Sequence, residues 1–440
     1  MNAQQAASQT DPYKQITLSV LQLVFAERFA RNFSIALWDG TIVSAQDEER
    51  FQLCINEPGA LRAAFRPPID LNAGRAFAAG IIECRGSMED AVDELYRTVD
   101  GVPRGLFPKL MALLLRLPKT KIGDLREAHL HGKLHSIERD RAAIGFHYDQ
   151  PLAFYRSFLD NELVYSCAYF DDGVTSLDDA QRAKLDYSLR KLRLQPGESL
   201  LDIGCGWGGL VIRAAQKFGA KALGVTLSAS QHAEANRRIA ELGIGDRARV
   251  ELRDYRELAD GSFDKIASIG MFEHVGRSRL PEYFNRAFAL LRPGGLFLNH
   301  GIAEQSPGRS GGKVSGFMER FIFPDGELVA VSDALAIAER SGFEVRDVEG
   351  LREHYMRTLR LWVKNLETHA STAIAEAGLQ SYRAWRLYMA ASAQGFRVGR
   401  MGLFQSLLAK PMPDGHVTIP PTRRDLYESG MPALSTPGTG

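Results

Sequence analysis

The spacing of apolar and polar residues changes character along the chain. Residues 16–31 repeat apolar positions at helical spacing and predict an amphipathic helix. Residues 33–43 read as two strands around Asp39-Gly40, a strong hairpin signal. Residues 51–56 and 80–86 read as further strands, and 61–65 and 88–99 as helices. Ser87 and Asp90 give the helix over 88–99 a capping-box-like start. From residue 199 short apolar runs alternate with amphipathic stretches. Strands are predicted over 199–204, 221–226, 249–254, 265–270 and 295–300, with helices over 209–218, 228–242 and 280–291. This βαβ rhythm demands a mainly parallel sheet covered on both faces. Two long helices follow, over 353–377 and 380–401, and residues 403–410 read as a late strand returning to the sheet.

These patterns divide the chain into an α+β accessory domain over 13–115, a catalytic α/β domain over 128–410 and a Pro/Gly-rich tail over 411–440 read as flexible. Residues 1–12 read as disordered. The 440 residues suffice for two domains, and a net charge of +1 offers no basic field for nucleic acid. Cys54, Cys84, Cys167 and Cys205 form no Cys-x-x-Cys pair, so free thiols in a reducing compartment are expected. His129, His131, His135 and His147 cluster without acidic residues arranged as co-ligands, and no metal site is expected. The N-terminus carries no apolar signal core. The apolar run 110–117 is far shorter than the roughly 20 residues that span a bilayer. A cytoplasmic protein is expected.

The chemistry concentrates at Leu200-Leu201-Asp202-Ile203-Gly204-Cys205-Gly206-Trp207-Gly208-Gly209, an apolar strand passing through a glycine cluster into a helix. Such a turn lets a ligand approach the backbone closely. A dinucleotide site would show Gly-x-Gly-x-x-Gly and an acid closing the second strand. Here the second strand closes on Gly224-Val225-Thr226. S-adenosylmethionine (SAM) carries no phosphate. It needs close backbone approach, ribose contacts and a polar third-strand end for adenine. Asp202 and Gly204–Gly208, then Thr226 to Gln231, then Asp254 and Tyr255, supply these in order.

Four motifs carry a family resemblance: Leu201–Gly208, Gly224-Val225-Thr226-Leu227-Ser228, Asp254-Tyr255-Arg256 and Gly270-Met271-Phe272-Glu273-His274-Val275-Gly276. With Tyr165-Ser166-Cys167-Ala168-Tyr169-Phe170 and Phe321-Ile322-Phe323-Pro324, they resemble the cyclopropane-fatty-acyl-phospholipid synthases and their mycolic-acid relatives from about residue 148 to 410. The resemblance implies a Rossmann-like class I SAM-dependent methyltransferase domain preceded by a small α+β domain. It also implies methyl transfer to the double bond of an unsaturated phospholipid acyl chain. The carbocation formed is deprotonated to a cyclopropane ring, with a bound bicarbonate ion as base.

Carried over by position, Cys167, Glu273, His300, Ile302 and Tyr355 form the catalytic cradle of that anion. Glu273 and His300 would orient and polarise it, Tyr355 would donate a hydrogen bond, Ile302 a backbone one, and Cys167 would wall the site. Tyr165, Ser166, Asp202, Gly204, Cys205, Gly206, Trp207, Gly208, Thr226, Gln231, Asp254, Tyr255 and Arg256 would contact the cofactor. The implied partners are unsaturated phospholipids at the inner membrane surface and a second copy of the chain. Gly301 replaces a common threonine, and Asp325-Gly326-Glu327-Leu328-Val329 departs from the usual pattern after Phe323-Pro324. These departures leave the product open between a ring and a methylene or methyl branch. A lipid-binding protein with an inactive methyltransferase domain is the reading from another class.

Overall fold

The computed structural model describes residues 11–99, 103–148, 150–305, 312–313 and 315–427. Of residues 1–12, read as disordered, 1–10 lie outside the described residues, as does the tail beyond Tyr427, while Asp11 caps a helix that begins at residue 12, Pro12–Phe25. Contacts group the chain into two compact units. One takes residues 1–161, 309–328 and 352–401, and the other 162–308, 329–351 and 402–440.

In the first unit, a sheet runs in the order Ile42–Val43, Phe33–Leu37, Phe51–Ile55, Ile82–Gly86. The Asp39-Gly40 hairpin forms as its turn chemistry requires, with Ile35 opposite Val43. Ser87 caps the helix Met88–Val99, accepting from the Asp90 N–H at 3.1 Å. The long helices Arg352–Thr368 and Ala370–Arg397 belong to this unit, the second broken at Gly378 by its positive φ of 81°. Arg386 is buried. Its guanidinium donates to the carbonyls of Cys84 and Gly86 and pairs with Glu367, 2.7 Å away. The arginine-aromatic pattern of these helices thus serves packing at this position.

In the second unit, among the described residues, parallel strands run in the order Glu327–Ala330, Leu291–Glu304, Phe263–Ile269, Ser199–Ile203, Lys221–Thr226, Ala248–Leu252. Met401–Ala409 joins the sheet beside Leu291–Glu304 and pairs antiparallel with Glu344–Gly350. Side chains alternate between the sheet's faces with period two. Leu200, Ala222, Ala267 and Leu298 enter one apolar cluster with Leu210, Val211 and Ala214. Leu201, Leu223, Ile266 and Phe297 enter the other with Tyr283, Phe284 and Ile337. Both faces are covered, so the strands read as continuous apolar runs.

The pattern of apolar residues does not announce the helix Leu177–Lys191, the helix Val331–Arg340 or the strand Glu344–Gly350. The first has a physical reason. Gln181, Lys184, Ser188 and Lys191 share one helical stripe, and each is 1% exposed or less. A stripe of polar residues looks solvated in sequence, yet this one faces inward. Residues 411–427 are held on the unit: Arg423 reaches Asp347 at 2.5 Å, Arg193 pairs with Asp425 at 3.0 Å, and Val417 and Ile419 pack on the core.

Gly224 marks where the second strand meets the glycine turn. A Cβ there would lie 2.6 Å from the Cys205 sulfur and 2.9 Å from Val211. Replacing Gly224 with Ala overpacks this contact and should cost about 1–3 kcal/mol in denaturant unfolding. A change below about 0.5 kcal/mol would show that the turn moves away freely.

Candidate active site

In an open parallel sheet the carboxyl ends of the strands form the ligand crevice. The turn after Ser199–Ile203 is bound to the second strand by the N–H groups of Gly204 and Cys205, which donate to the Val225 carbonyl at 3.0 and 3.1 Å. Gly204, Gly206 and Gly208 all have positive φ. At Gly206, with φ 54°, a Cβ would meet nothing within 4 Å, so the turn's outer side is open to a ligand while its backbone excludes other residues. Asp202 is buried at the strand end, and burial pushes its carboxyl up to about 7 against the pull of Lys184. Cys205 is buried too. Desolvation, then the Asp202 charge, raises its thiol far above the ordinary value, so it is no nucleophile. The Trp207 carbonyl accepts from Arg238 at 3.0 Å.

At the next strand end, the Thr226 hydroxyl donates to Gln231 Oε1 at 2.8 Å and accepts from the Ser228 N–H at 3.1 Å. Ser228 caps the following helix through the Gln231 N–H, at 3.3 Å. After the third strand, Asp254 accepts from the Arg256 N–H at 2.9 Å and from its guanidinium at 2.7 and 2.8 Å. Tyr255 meets Tyr283 edge-on at 5.9 Å. Three successive strand ends thus carry the residues expected to meet SAM.

The polar stripe of Leu177–Lys191 holds the segment that carries Tyr165 and Ser166, which were expected to meet the cofactor. Gln181 Nε2 donates to the carbonyls of Val164 and Ser166 at 3.1 and 2.8 Å, and Lys184 donates to Ser166 Oγ at 2.9 Å. Tyr165, Ser166 and Cys167 lie in or beside this clamped stretch. The inward position of Gln181 and Lys184 was not legible in the sequence, because a lysine and a glutamine in a helix ordinarily face water.

Glu273 and His300 follow the fourth strand and sit in the fifth. Glu273 lies in the short turn Phe272–His274, and its Oε1 accepts from the Ile302 N–H at 2.6 Å. The Ile302 donor thereby orients the carboxylate. Glu273 Oε2 is buried with no hydrogen-bond partner among the described residues, and so is His300 Nε2. Burial pushes the Glu273 carboxyl up to about 7, opposed by the Ile302 N–H. Burial, then Lys184 and Lys191, holds the His300 ring well below its ordinary value, so it is neutral. Its Nδ1 lies 3.0 Å from Gln405 Nε2. Cys167 is fully buried and its thiol points to the Ala168 carbonyl at 3.1 Å. Tyr355 belongs to the other unit, where its ring lies 6.0 Å from Trp362 and 4.9 Å from Phe396. Among the described residues, no cluster of His, Cys, Asp and Glu could hold a metal, and no helix is long and apolar enough to cross a membrane.

The raised Glu273 carboxyl has a consequence for stability. Its folded value of about 7 exceeds the ordinary 4.5, so the folded chain holds the proton more tightly than the unfolded chain. The contribution is full below pH 4.5 and is lost as pH rises to about 7, at up to about 1.4 kcal/mol per pH unit. Glu273→Gln removes this dependence. The melting temperature of the variant minus that of the wild type should climb from about pH 5 to 7 and then level off. A flat difference across that range would refute the raised value.

Comparison with known proteins bears on family and fold. The family described as mycolic acid cyclopropane synthetase matches residues 135–406. A probable fatty acid methyltransferase of Pseudomonas putida is 39% identical over 396 residues, covering 89% of this chain and 95% of its own length. The solved structure of the cyclopropane synthase MmaA2 from Mycobacterium tuberculosis is 35% identical with a TM-score of 0.58, covering 61% of this chain and 98% of that one. Mycolic acid cyclopropane synthase CmaA1, solved with SAH and CTAB, gives the same identity, coverage and TM-score. With more than half of its length matched and the carboxyl-end site formed by a parallel sheet, the chain belongs to the mycolic acid cyclopropane synthetase family and has the class I SAM-dependent methyltransferase fold.

Proposed function

We propose that this protein transfers the SAM methyl group to the double bond of an unsaturated phospholipid acyl chain at a membrane surface and closes a cyclopropane ring. The observation that carries the reading is two buried polar atoms without hydrogen-bond partners among the described residues, Glu273 Oε2 in the turn after the fourth strand and His300 Nε2 on the fifth. Buried polar atoms are ordinarily hydrogen-bonded, so two orphans on residues that follow and pair with the same strand favour a small polar guest. SAM would be held by Asp202 and the Gly204–Gly208 turn, by Thr226 with Gln231, and by Asp254 to Arg256.

An alkene is a weak nucleophile. Holding it in line with the sulfonium methyl supplies up to about 7–11 kcal/mol of the barrier. The carbocation that follows must be kept from water, which would convert it to an alcohol. The orphaned pair suits bicarbonate: Glu273 Oε2 and His300 Nε2 would hold it, and the Ile302 N–H fixes the carboxylate that faces it. Bicarbonate held by these residues would supply the base for the proton lost from the added methyl. A Glu273 carboxyl near 7 can share a proton with such a weak acid without being committed to either form.

One observation favours a second reading. The Pseudomonas putida relative, which matches across 89% of this chain, is named a probable fatty acid methyltransferase rather than a cyclopropane synthase. A 1,2-hydride shift in the same cation, followed by loss of a proton from the added methyl, gives a methylene branch instead of a ring, so both products fit one site.

Incubation with labelled SAM and unsaturated phospholipid vesicles tests the proposal. Released acyl chains should be heavier by one CH₂ and show ring protons by NMR; vinylidene protons would instead establish the branched product. No heavier product from any of several lipids would sink both readings. In the same assay Glu273→Gln should lower turnover by about 10²–10⁴ while SAM affinity stays within about threefold. Equal loss of SAM binding would move Glu273 out of the anion cradle and into the cofactor site.

A further inference from the structure

His300 is backed by a buried polar chain that the proposed chemistry does not by itself require. Gln405, 1% exposed on the strand Met401–Ala409, lies between His300 and Lys191. Lys191, on the inward stripe of Leu177–Lys191, is also 1% exposed. Its ammonium donates to Gln405 Oε1 at 2.8 Å, pairs with Glu349 and lies 4.7 Å over the Tyr187 ring.

The donor and acceptor roles along this chain are forced. An ammonium has three donors and no acceptor. Lys191 therefore fixes the Gln405 amide with its oxygen toward Nζ and its NH₂ toward the imidazole. That NH₂ donates to His300 Nδ1 at 3.0 Å and reaches Ser188 Oγ at 3.4 Å. An amide nitrogen only donates, so Nδ1 must be the bare, accepting nitrogen. The ring is neutral, since burial and two nearby lysines oppose its charge. A neutral imidazole with a bare Nδ1 carries its proton on Nε2, the atom left without a partner in the site.

We propose that Gln405, locked by Lys191, is a positioning residue that holds His300 as the neutral Nε2–H tautomer and so makes it a hydrogen-bond donor to an anion in the site. The tautomer assignment stands on this geometry alone. Its use in catalysis rests on the function proposed above. An Nδ1–H ring would turn a lone pair toward the anion and repel it. An imidazolium would bind the anion tightly and lower its basicity, which suits a base poorly.

The test reads the ring directly. Long-range ¹H–¹⁵N NMR of the full chain with ring-¹⁵N histidine resolves the tautomers, with His300→Ala assigning the resonance among the ten histidines. Wild type should show a protonated Nε2 and a bare Nδ1, unchanged from about pH 6 to 9. Gln405→Glu places a pure acceptor against Nδ1 and should move the proton onto it or double-protonate the ring. The same variant should lower kcat about 10–100-fold with KM for SAM within about threefold. Lys191→Arg, which keeps a cationic donor to Gln405 Oε1, should retain the wild-type pattern and most of the turnover.

A wild-type ring protonated at Nδ1, or a Gln405→Glu spectrum identical to wild type, would overturn the assignment. A shifted tautomer with unchanged kcat would overturn the positioning role. A wild-type chain that shows the Nε2–H pattern but methylates no acyl chain would support the tautomer while removing the function it was held to serve.

Discussion

The second unit depends on burying two lysines beneath the carboxyl ends of its strands. Removing an ammonium from water costs several kcal/mol unless donors and charges around it are satisfied. Lys184 and Lys191, each 1% exposed, meet this demand differently. Lys184 donates to Ser166 Oγ and lies near enough to Asp202 to oppose the rise in that carboxyl. Lys191 meets Glu349, Gln405 and the Tyr187 ring. Their partners come from the segment before the helix, from the first strand and from the two antiparallel strands. A single helix thus ties together the parts of the sheet that the ligand crevice needs.

The same burial sets the charge state of the candidate active site. Asp202 and Glu273 both rise to about 7, and His300 stays neutral. None of these groups carries a firm charge of its own at neutral pH. Two carboxyls near neutrality also make the protonation pattern responsive to whatever binds.

Much of this was readable in the chain. Alternation at Leu200 and Leu201, and at Ala222 and Leu223, assigned residues to two apolar layers because period two leaves no other choice once a strand is buried on both faces. The glycine turn was readable because Gly204, Gly206 and Gly208 need positive φ. Helix Leu177–Lys191 was not readable. Its inward stripe of Gln181, Lys184, Ser188 and Lys191 has the composition of a solvated face, and only its partners across the fold reverse that meaning. Gln405 was equally hidden, since a glutamine in a strand carries no signal until the residues on either side of it in space are known.

The sequence by itself determined the parallel α/β fold, the strand ends that meet a ligand and the motifs that place the chain in its family. These follow from local spacing and from residue types that few other arrangements tolerate. The tertiary structure decided which polar side chains are inside and what each one faces. It gave Ile302 to the Glu273 carboxylate, left Oε2 without a partner, and set Lys191 behind Gln405 and Gln405 behind His300. Those relations join residues far apart in the chain through hydrogen bonds and desolvation. Neither leaves a periodicity in the sequence, because both depend on distance in space.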